Sequence, residues 1–375
     1  MIKFKLLFCV LFFLLNIHSV LAKPLNVVFV VPDQKGPLFW QYVSEIAKSV
    51  ADDMDINLEL IYTDSDRFAS KEAIFKITER IDKPDYIIFR PFAGNAITIF
   101  NQLEKHRLPF VTLEQALFGK EGDAVGQPRE KYKYWLGQVN YDNVKGGHLL
   151  LSALVKHHRK RVTTETAYIT GIGGGHDVLS KNRTKALTEL DKHGEGVFLN
   201  QLFSFNWDPK RVKQKYNEMM RRYPNTDIFW CAGDQMALAL VEKIQSLPAK
   251  SAKTISVGGF DWLPEALEKI NSGEMSASVG GHMLMAGVAV ILIKDYHSGI
   301  DRFSLEKTSN LFELIDSDNV QQYLPFLRRT PWPEVDYSIF LHHNKKHADQ
   351  LVFNMANIMK VQDRKNIKIT PTSTP

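Results

Sequence analysis

Short apolar runs rich in β-branched residues alternate along the chain with longer stretches whose apolar positions recur at helical spacing. Residues 27–31 read as a buried strand that stops at Pro32, and 33–37 as a polar turn. From Leu38, the positions Phe39, Val43, Ile46, Ala47 and Val50 mark a helix. The alternation continues with strands at 57–63, 85–90 and 109–113 and helices at 70–81 and 96–106. A polar, aperiodic loop at 118–134 interrupts it, and strands and helices then alternate again from 134 to 297. Helices alternating with short apolar strands imply parallel sheets covered on both faces. Two tandem units of similar size therefore predict an α/β protein with two doubly wound parallel-sheet lobes. Crossings expected near 117–134, 279–282 and 310–316 make a multi-strand hinge, which restricts the lobes to opening and closing.

The two ends of the chain add compartment and partner expectations. Lys3 and Lys5 precede an apolar run at 6–15, and Ser19-Val-Leu-Ala22 supplies small residues where a signal peptidase reads. Residues 1–22 are thus expected to be a cleavable secretory signal peptide. No later apolar run approaches the roughly 18 residues that a bilayer span needs. Of two cysteines, Cys9 lies in the leader and Cys231 in the apolar run IFWCA, so no internal disulfide is expected and Cys231 reads as a packing residue. The balance of 47 basic against 42 acidic residues gives no argument for nucleic acid. Near the other end, Leu351, Val352, Met355, Ile358 and Met359 share one face of a helix expected at 347–359. That helix is expected to pack back onto a lobe, with a polar tail beyond it.

Candidate chemistry is sparse until the strand ends are compared. The Gly171-Ile-Gly-Gly-Gly175 loop lacks an acidic residue at the end of the following strand, so it reads as a ligand-facing loop rather than a dinucleotide fingerprint. No HExxH, CxxC or GxSxG pattern occurs, and no metal, cofactor or catalytic set is expected. What recurs is a polar residue after a short apolar strand: Arg90, Glu114, Asp234 and Asp261, with Arg183 and Trp207 near two further strand ends. Singly, Asp234 and Asp261 read equally as helix caps, and Phe39 and Trp40 as core anchors. Together they describe one cleft at the carboxyl ends of two sheets, where open α/β sheets bind ligands. Carboxylates and guanidinium groups suit vicinal hydroxyls, and aromatic faces suit the apolar face of a sugar ring. Lys35 adds a cation in the first turn.

The segments PDQKGPLFW (32–40), DYIIFRP (85–91), LPFVTLEQ (108–115), NRTKAL (182–187), DIFWCAGDQMALAL (227–240) and VGGFDWLPEALEKINSGEMSASV (257–279) occur in an order that resembles one family. It is that of the type I periplasmic sugar-binding proteins, the ribose- and galactose-binding family, whose core also occurs in LacI-type repressors. The leader and the absence of an N-terminal helix-turn-helix exclude a repressor. The resemblance implies the type I periplasmic binding protein fold, with ring-stacking aromatics at Phe39, Trp40 and Trp207. It puts polar contacts at Glu114, Arg183, Asp234 and Asp261. It further implies a monomeric, non-enzymatic periplasmic protein that binds a small polyhydroxylated ligand and delivers it to an ABC-type membrane permease. The loop at 118–134 and the ending after Leu311 resemble LuxP-type receptors, which gives a membrane sensor kinase or chemoreceptor as the alternative partner. Three departures leave the ligand open: Glu114 where the family usually has Asp, Gly233 where it has Asn, and Gly280-Gly281-His282 where it often has Gln. The expected division is a first lobe of 23–117 and 281–311, a second of 118–280 and 312–344, and a helix and tail at 345–375.

Overall fold

The first apolar run forms β1 (Leu25–Val31), and its alternate side chains enter two different cores. Val28 and Val30 pack with Ile74 and Ile77 of α2 (Arg67–Glu79) and with Ile99 and Phe100 of α3 (Ala96–Lys105). Val27, Phe29 and Val31 face the opposite side, with Val43, Ile46 and Val50 of α1 (Leu38–Asp53). A strand buried on both faces reads as a continuous apolar run, which is why this one lacks alternation. A computed structural model describes residues 24–33, 38–114, 117–162, 166–247, 255–303, 312–342 and 352–369. The signal peptide expected at 1–22 lies outside them.

The first sheet has the order β2-β1-β3-β4-β5, with β2 (Ile56–Tyr62), β3 (Tyr86–Phe89), β4 (Phe110–Leu113) and β5 (Trp135–Val139), all parallel. The second has the order β11-β10-β9-β8-β6-β7. Here β6 (Ala167–Gly173), β7 (Val197–Ser204), β8 (Ile228–Cys231), β9 (Ser256–Phe260) and β10 (Ala277–Gly280) are parallel. Only β11 (Glu313–Asp316) runs antiparallel, at the edge beside β10. Both sheets are doubly wound about a switch point, beside β1 in one and β6 in the other.

The boundary expected at 117/118 is corrected. β5 pairs with β4 along its whole length, and Trp135 Nε1 donates to Thr112 Oγ1 at 3.0 Å, so 118–139 belong to the first lobe. The loop before β5 contains a short helix, α4 (Gly119–Val125), in which only Val125 is buried. Its two glycines and single apolar anchor leave no periodic signal to read. The chain crosses to the second lobe at 140–142 and enters α5 (Asn143–Arg161); α6 (Val178–Thr188), α7 (Pro209–Arg222), α8 (Asp234–Gln245) and α9 (Pro264–Asn271) follow. It returns after β10 to α10 (Met285–His297), which packs on α1 and the first sheet.

After β11, α11 (Val320–Arg329) packs on α9, and the chain then crosses once more. Trp332 is buried between the Phe326 ring, 5.4 Å away, and α1. Residues 331–342 thus lie on the first lobe, not the second, with the Tyr337 amide donating to Asp53 at 2.8 Å. The last helix, α12, runs over Met355–Ile369, with 352–354 outside it, and the first part of the helix expected at 347–359, including Leu351, lies outside the described residues. Phe353 seats between the Tyr337 and Phe340 rings, and Met355 and Ile358 are buried, whereas Val352 is exposed. Packing onto a lobe is what the apolar face predicted.

Candidate functional site

Arg183 stands where the elements of the second lobe converge. Asp177 ends the loop after β6 and caps α6, its Oδ1 accepting from the Ser180 amide at 2.9 Å. Ser180 Oγ in turn accepts from the Gly174 amide at 3.0 Å, which ties the helix start to the strand end. α5 and α6 approach so closely at Gly147 that a Cβ there would overlap the Arg183 carbonyl. The guanidinium, 2% exposed, donates from Nε to Asn143 Oδ1 at 2.9 Å and from Nη1 to the Ala232 carbonyl at 2.7 Å. Its Nη2 lies 3.0 Å from His282 Nε2, and its plane stands 4.4 Å over the Phe260 ring. Burial lowers the Arg183 pKa, while Asp261, Glu114, Asp177 and Asp234 act to raise it. An arginine stays charged under such shifts.

Two glycines deliver His282 to this cation. The Trp262 indole occupies the space where a Gly280 side chain would lie, and Gly281 adopts φ +97°, open to glycine at little cost. His282 is 1% exposed, stacks on the Phe39 ring at 4.5 Å and meets Tyr141 edge-on. Tyr141 Oη donates to the His282 carbonyl at 2.9 Å. Asp261 Oδ1 stands 3.2 Å from His282 Nε2 and 3.8 Å from Arg183 Nη1.

The first lobe supplies the opposing wall. Arg90 Nε donates to Glu114 Oε2 at 2.5 Å, and Gln138 Nε2 donates to the Glu114 carbonyl at 2.7 Å. Glu114 has φ +59° and is almost wholly buried. Its charge acts on Arg183, His282 and Tyr141, so a carboxylate of one sheet and a guanidinium of the other occupy one locale. Lys181 Nζ of α6 stands 5.2 Å over the ring of Phe118 in the first lobe, so the two lobes meet there.

Backbone strain concentrates at the same edge. Among described non-glycine residues, eleven have positive φ, and seven follow strand C-termini: Asp64, Ser65, Glu114, Asn206, Trp207, Asp261 and Trp262. Held strain of this kind clusters at ligand sites, where surrounding contacts over-determine it. Trp207 shows how. Its indole fills the space beside Gly174, and Nε1 donates to Asp177 Oδ2 at 3.2 Å. Asp177 thus serves as helix cap with one oxygen and as the Trp207 anchor with the other. Asp177→Ala is expected to lower stability by about 1–2 kcal/mol in chemical denaturation through loss of the cap. It also releases the indole, detectable as a changed tryptophan emission.

The structure gathers Phe39, Arg183 and Asp261 around His282, with Arg90 paired to Glu114 and Trp207 bonded to Asp177, but changes the reading of Asp234. That side chain is fully buried, with its oxygens accepting from Leu263 N at 3.0 Å and Ser278 Oγ at 2.8–2.9 Å. It braces the loop after β9 from inside the lobe. Neither it nor Asp261 caps a helix: the N-cap residues of α8 and α9 are Gly233 and Leu263. Trp40 is 9% exposed and lies in the core, edge-on to Phe39, and it is Phe39 that reaches His282. Lys35 lies outside the described residues. Sequence reasoning did not assign roles to His282, Asn143, Tyr141 or Asp177. The only available signal was the Gly280-Gly281-His282 crossing, whose two glycines mark a forced bend.

Two lobes whose sheets aim their carboxyl ends at one cleft define a hinged binding protein. The sequence profile of the periplasmic binding protein domain matches residues 27–296, and the chain belongs to that family. Among curated proteins it resembles the D-allose-binding periplasmic protein of Escherichia coli (strain K12), with 27% identity over 159 residues. That match covers 42% of this chain and half the length of the relative. A periplasmic sugar-binding protein from Pseudomonas fluorescens superposes with a TM-score of 0.74 at 22% identity, over 85% of this chain and 95% of that one. An ABC transporter periplasmic solute-binding protein from Actinobacillus succinogenes with bound D-allose gives 0.69 at 19% identity, over 80% of this chain and 100% of that one. At these identities the two solved structures establish the fold.

Proposed function

We propose that this protein is the periplasmic receptor of an ABC-type importer, closing over a small, neutral, polyhydroxylated ring and handing it to a membrane permease. The observation that carries the reading is the cross-lobe set: Arg90 and Glu114 from one sheet, Arg183, Asp261 and Trp207 from the other. A ligand shifts the opening equilibrium only by binding the closed form better, which requires contacts from both lobes. Each guanidinium stands beside a carboxylate, so the site carries little net charge to attract an ionic ligand. Trp207, partly exposed after β7, offers an indole face, and Phe39 stacks on His282. The D-allose-binding relative and the solved solute-binding protein with bound D-allose support a sugar. Cleavage after Ala22, export and a monomeric, non-enzymatic mode of action belong to the same proposal.

Thermal unfolding in the presence of D-allose, D-ribose, D-galactose, L-arabinose and myo-inositol tests it. A ligand at ~100-fold its Kd adds ~2.7 kcal/mol to stability. For lobes of this size that corresponds to a rise in Tm of roughly 5–11 °C. The reading fails if no sugar or cyclitol in the panel raises the melting temperature.

A further inference from the structure

The imidazole of His282 faces a cation and an anion with the same nitrogen. Arg183 Nη2 is 3.0 Å from Nε2, and Asp261 Oδ1 is 3.2 Å from it. A guanidinium has only donors, so the Arg183 bond exists only when Nε2 presents a lone pair. A ring that takes this bond is neutral with its proton on Nδ1, a buried nitrogen with no hydrogen-bond partner among the described residues, so Arg183 and Asp261 compete for Nε2. Protonation removes that lone pair and leaves two donors 3.0 Å apart. The Nε2 proton turns to Asp261, and the guanidinium must give way.

We propose that His282 makes ligand binding depend on pH: neutral, it holds Arg183 in the binding geometry; protonated, it takes Asp261 and displaces Arg183. The inference rests on the reading of this cleft as the ligand site. It concerns the control of that site rather than its occupant.

The other groups around the ring fix the direction. Arg183 comes from α6, Asp261 from the loop after β9, Glu114 from the end of β4 with Arg90 on its far side, and Tyr141 from the crossing after β5. Phe39 of α1 and Phe312 ahead of β11 contribute uncharged rings. Burial is the largest influence and lowers the His282 pKa, and Arg183 lowers it further; Asp261 and Glu114 oppose them, and the net shift is downward from 6.5. Above its folded-state pKa the ring is neutral and the site is intact. As pH falls through that value, binding weakens, by at most about tenfold per unit for one linked proton. A receptor in a compartment open to the outside medium would then release its ligand in acid.

His282→Gln separates the two states. The amide oxygen accepts from Arg183, its nitrogen donates to Asp261, and neither titrates. Calorimetric titration with D-allose and with myo-inositol from pH 8 to pH 5 should show wild-type affinity falling in the acid range and His282→Gln nearly flat. Imidazole nitrogen resonances of the unliganded wild type provide an arm independent of any sugar and of how well the variant folds. They should report a neutral Nδ1–H tautomer at pH 7.5 that titrates below 6.5. An Nε2–H tautomer or a charged ring at pH 7.5 overturns the proposal, as does an identical pH profile in the two proteins. If neither sugar binds, the ligand assignment loses that support while the resonances still decide the state of His282.

Discussion

Arg183→Met should weaken the folded protein by roughly 3–5 kcal/mol in urea denaturation, the usual cost of breaking a buried ionic network from one side. Methionine keeps an apolar stem over the Phe260 ring, so the loss measures polar contacts rather than a cavity. It leaves Asn143 Oδ1, the Ala232 carbonyl and His282 Nε2 without their donor, and Asp261 beside an empty position. Each buried acceptor so stranded costs about 1–3 kcal/mol, although such terms do not add. Affinity for any sugar found in the thermal screen should fall at least ~100-fold, because Asn143, Asp261 and His282 lose their common reference point. Arg183→Lys should rescue little. One ammonium cannot reach a side-chain amide, a backbone carbonyl and an imidazole in three directions. If Arg183→Met unfolds like the wild type and binds normally, the guanidinium is not the organiser of the cleft.

How much of this was legible depended on whether a residue's role is local. The strands and helices were, since buried parallel strands such as β1 and β8 are continuous apolar runs and their helices keep a 3.6-residue period. The end of the first lobe was not. α4 inserts GKEGDAV between β4 and β5 with a single buried side chain, so the legible pattern restarts at β5, one element before the second lobe begins. The fourth crossing at Trp332 was equally silent, because a lone buried tryptophan after a helix carries no direction. At the site, the sequence marks polar residues at strand ends without saying which way each turns. The answer lies in partners far along the chain: Ser278 for Asp234, Asn143 for Arg183, Gln138 for Glu114. His282 illustrates the limit. Its neighbours come from Phe39, Tyr141, Arg183, Asp261 and Phe312, five separate segments brought together only by closure of the fold.

Asp234→Ala should cost about 3 kcal/mol or more, and Asp234→Asn less than ~1 kcal/mol, a contrast that a ligand-contacting carboxylate would not give. Burial pushes the Asp234 pKa well above its ordinary value, and the charge of Asp261 pushes it further. Ser278 Oγ donates to the carboxylate when it is ionised; once protonated on Oδ1, the carboxyl donates to Ser278 Oγ instead, while Oδ2 still accepts from the Leu263 amide. Asparagine reproduces that pattern atom for atom; alanine strands both partners in a dry interior and unpins the loop that carries Asp261 and Trp262. The pH dependence has a definite sign. In the unfolded chain this carboxyl ionises near pH 4, so refolding it protonated at higher pH requires proton uptake. Its contribution is full below that value and is lost as pH rises through the elevated folded-state pKa. Asp234→Asn abolishes this slope, whereas His282→Gln abolishes one of opposite sign, in which stability falls with pH from about 6.5 down to the lowered folded-state value. Denaturation midpoints measured from pH 3 to pH 8 on the two variants and the wild type separate the two contributions. A wild-type profile unchanged by Asp234→Asn would mean that the carboxyl is ionised in the folded protein and that its role is to bind, not to brace.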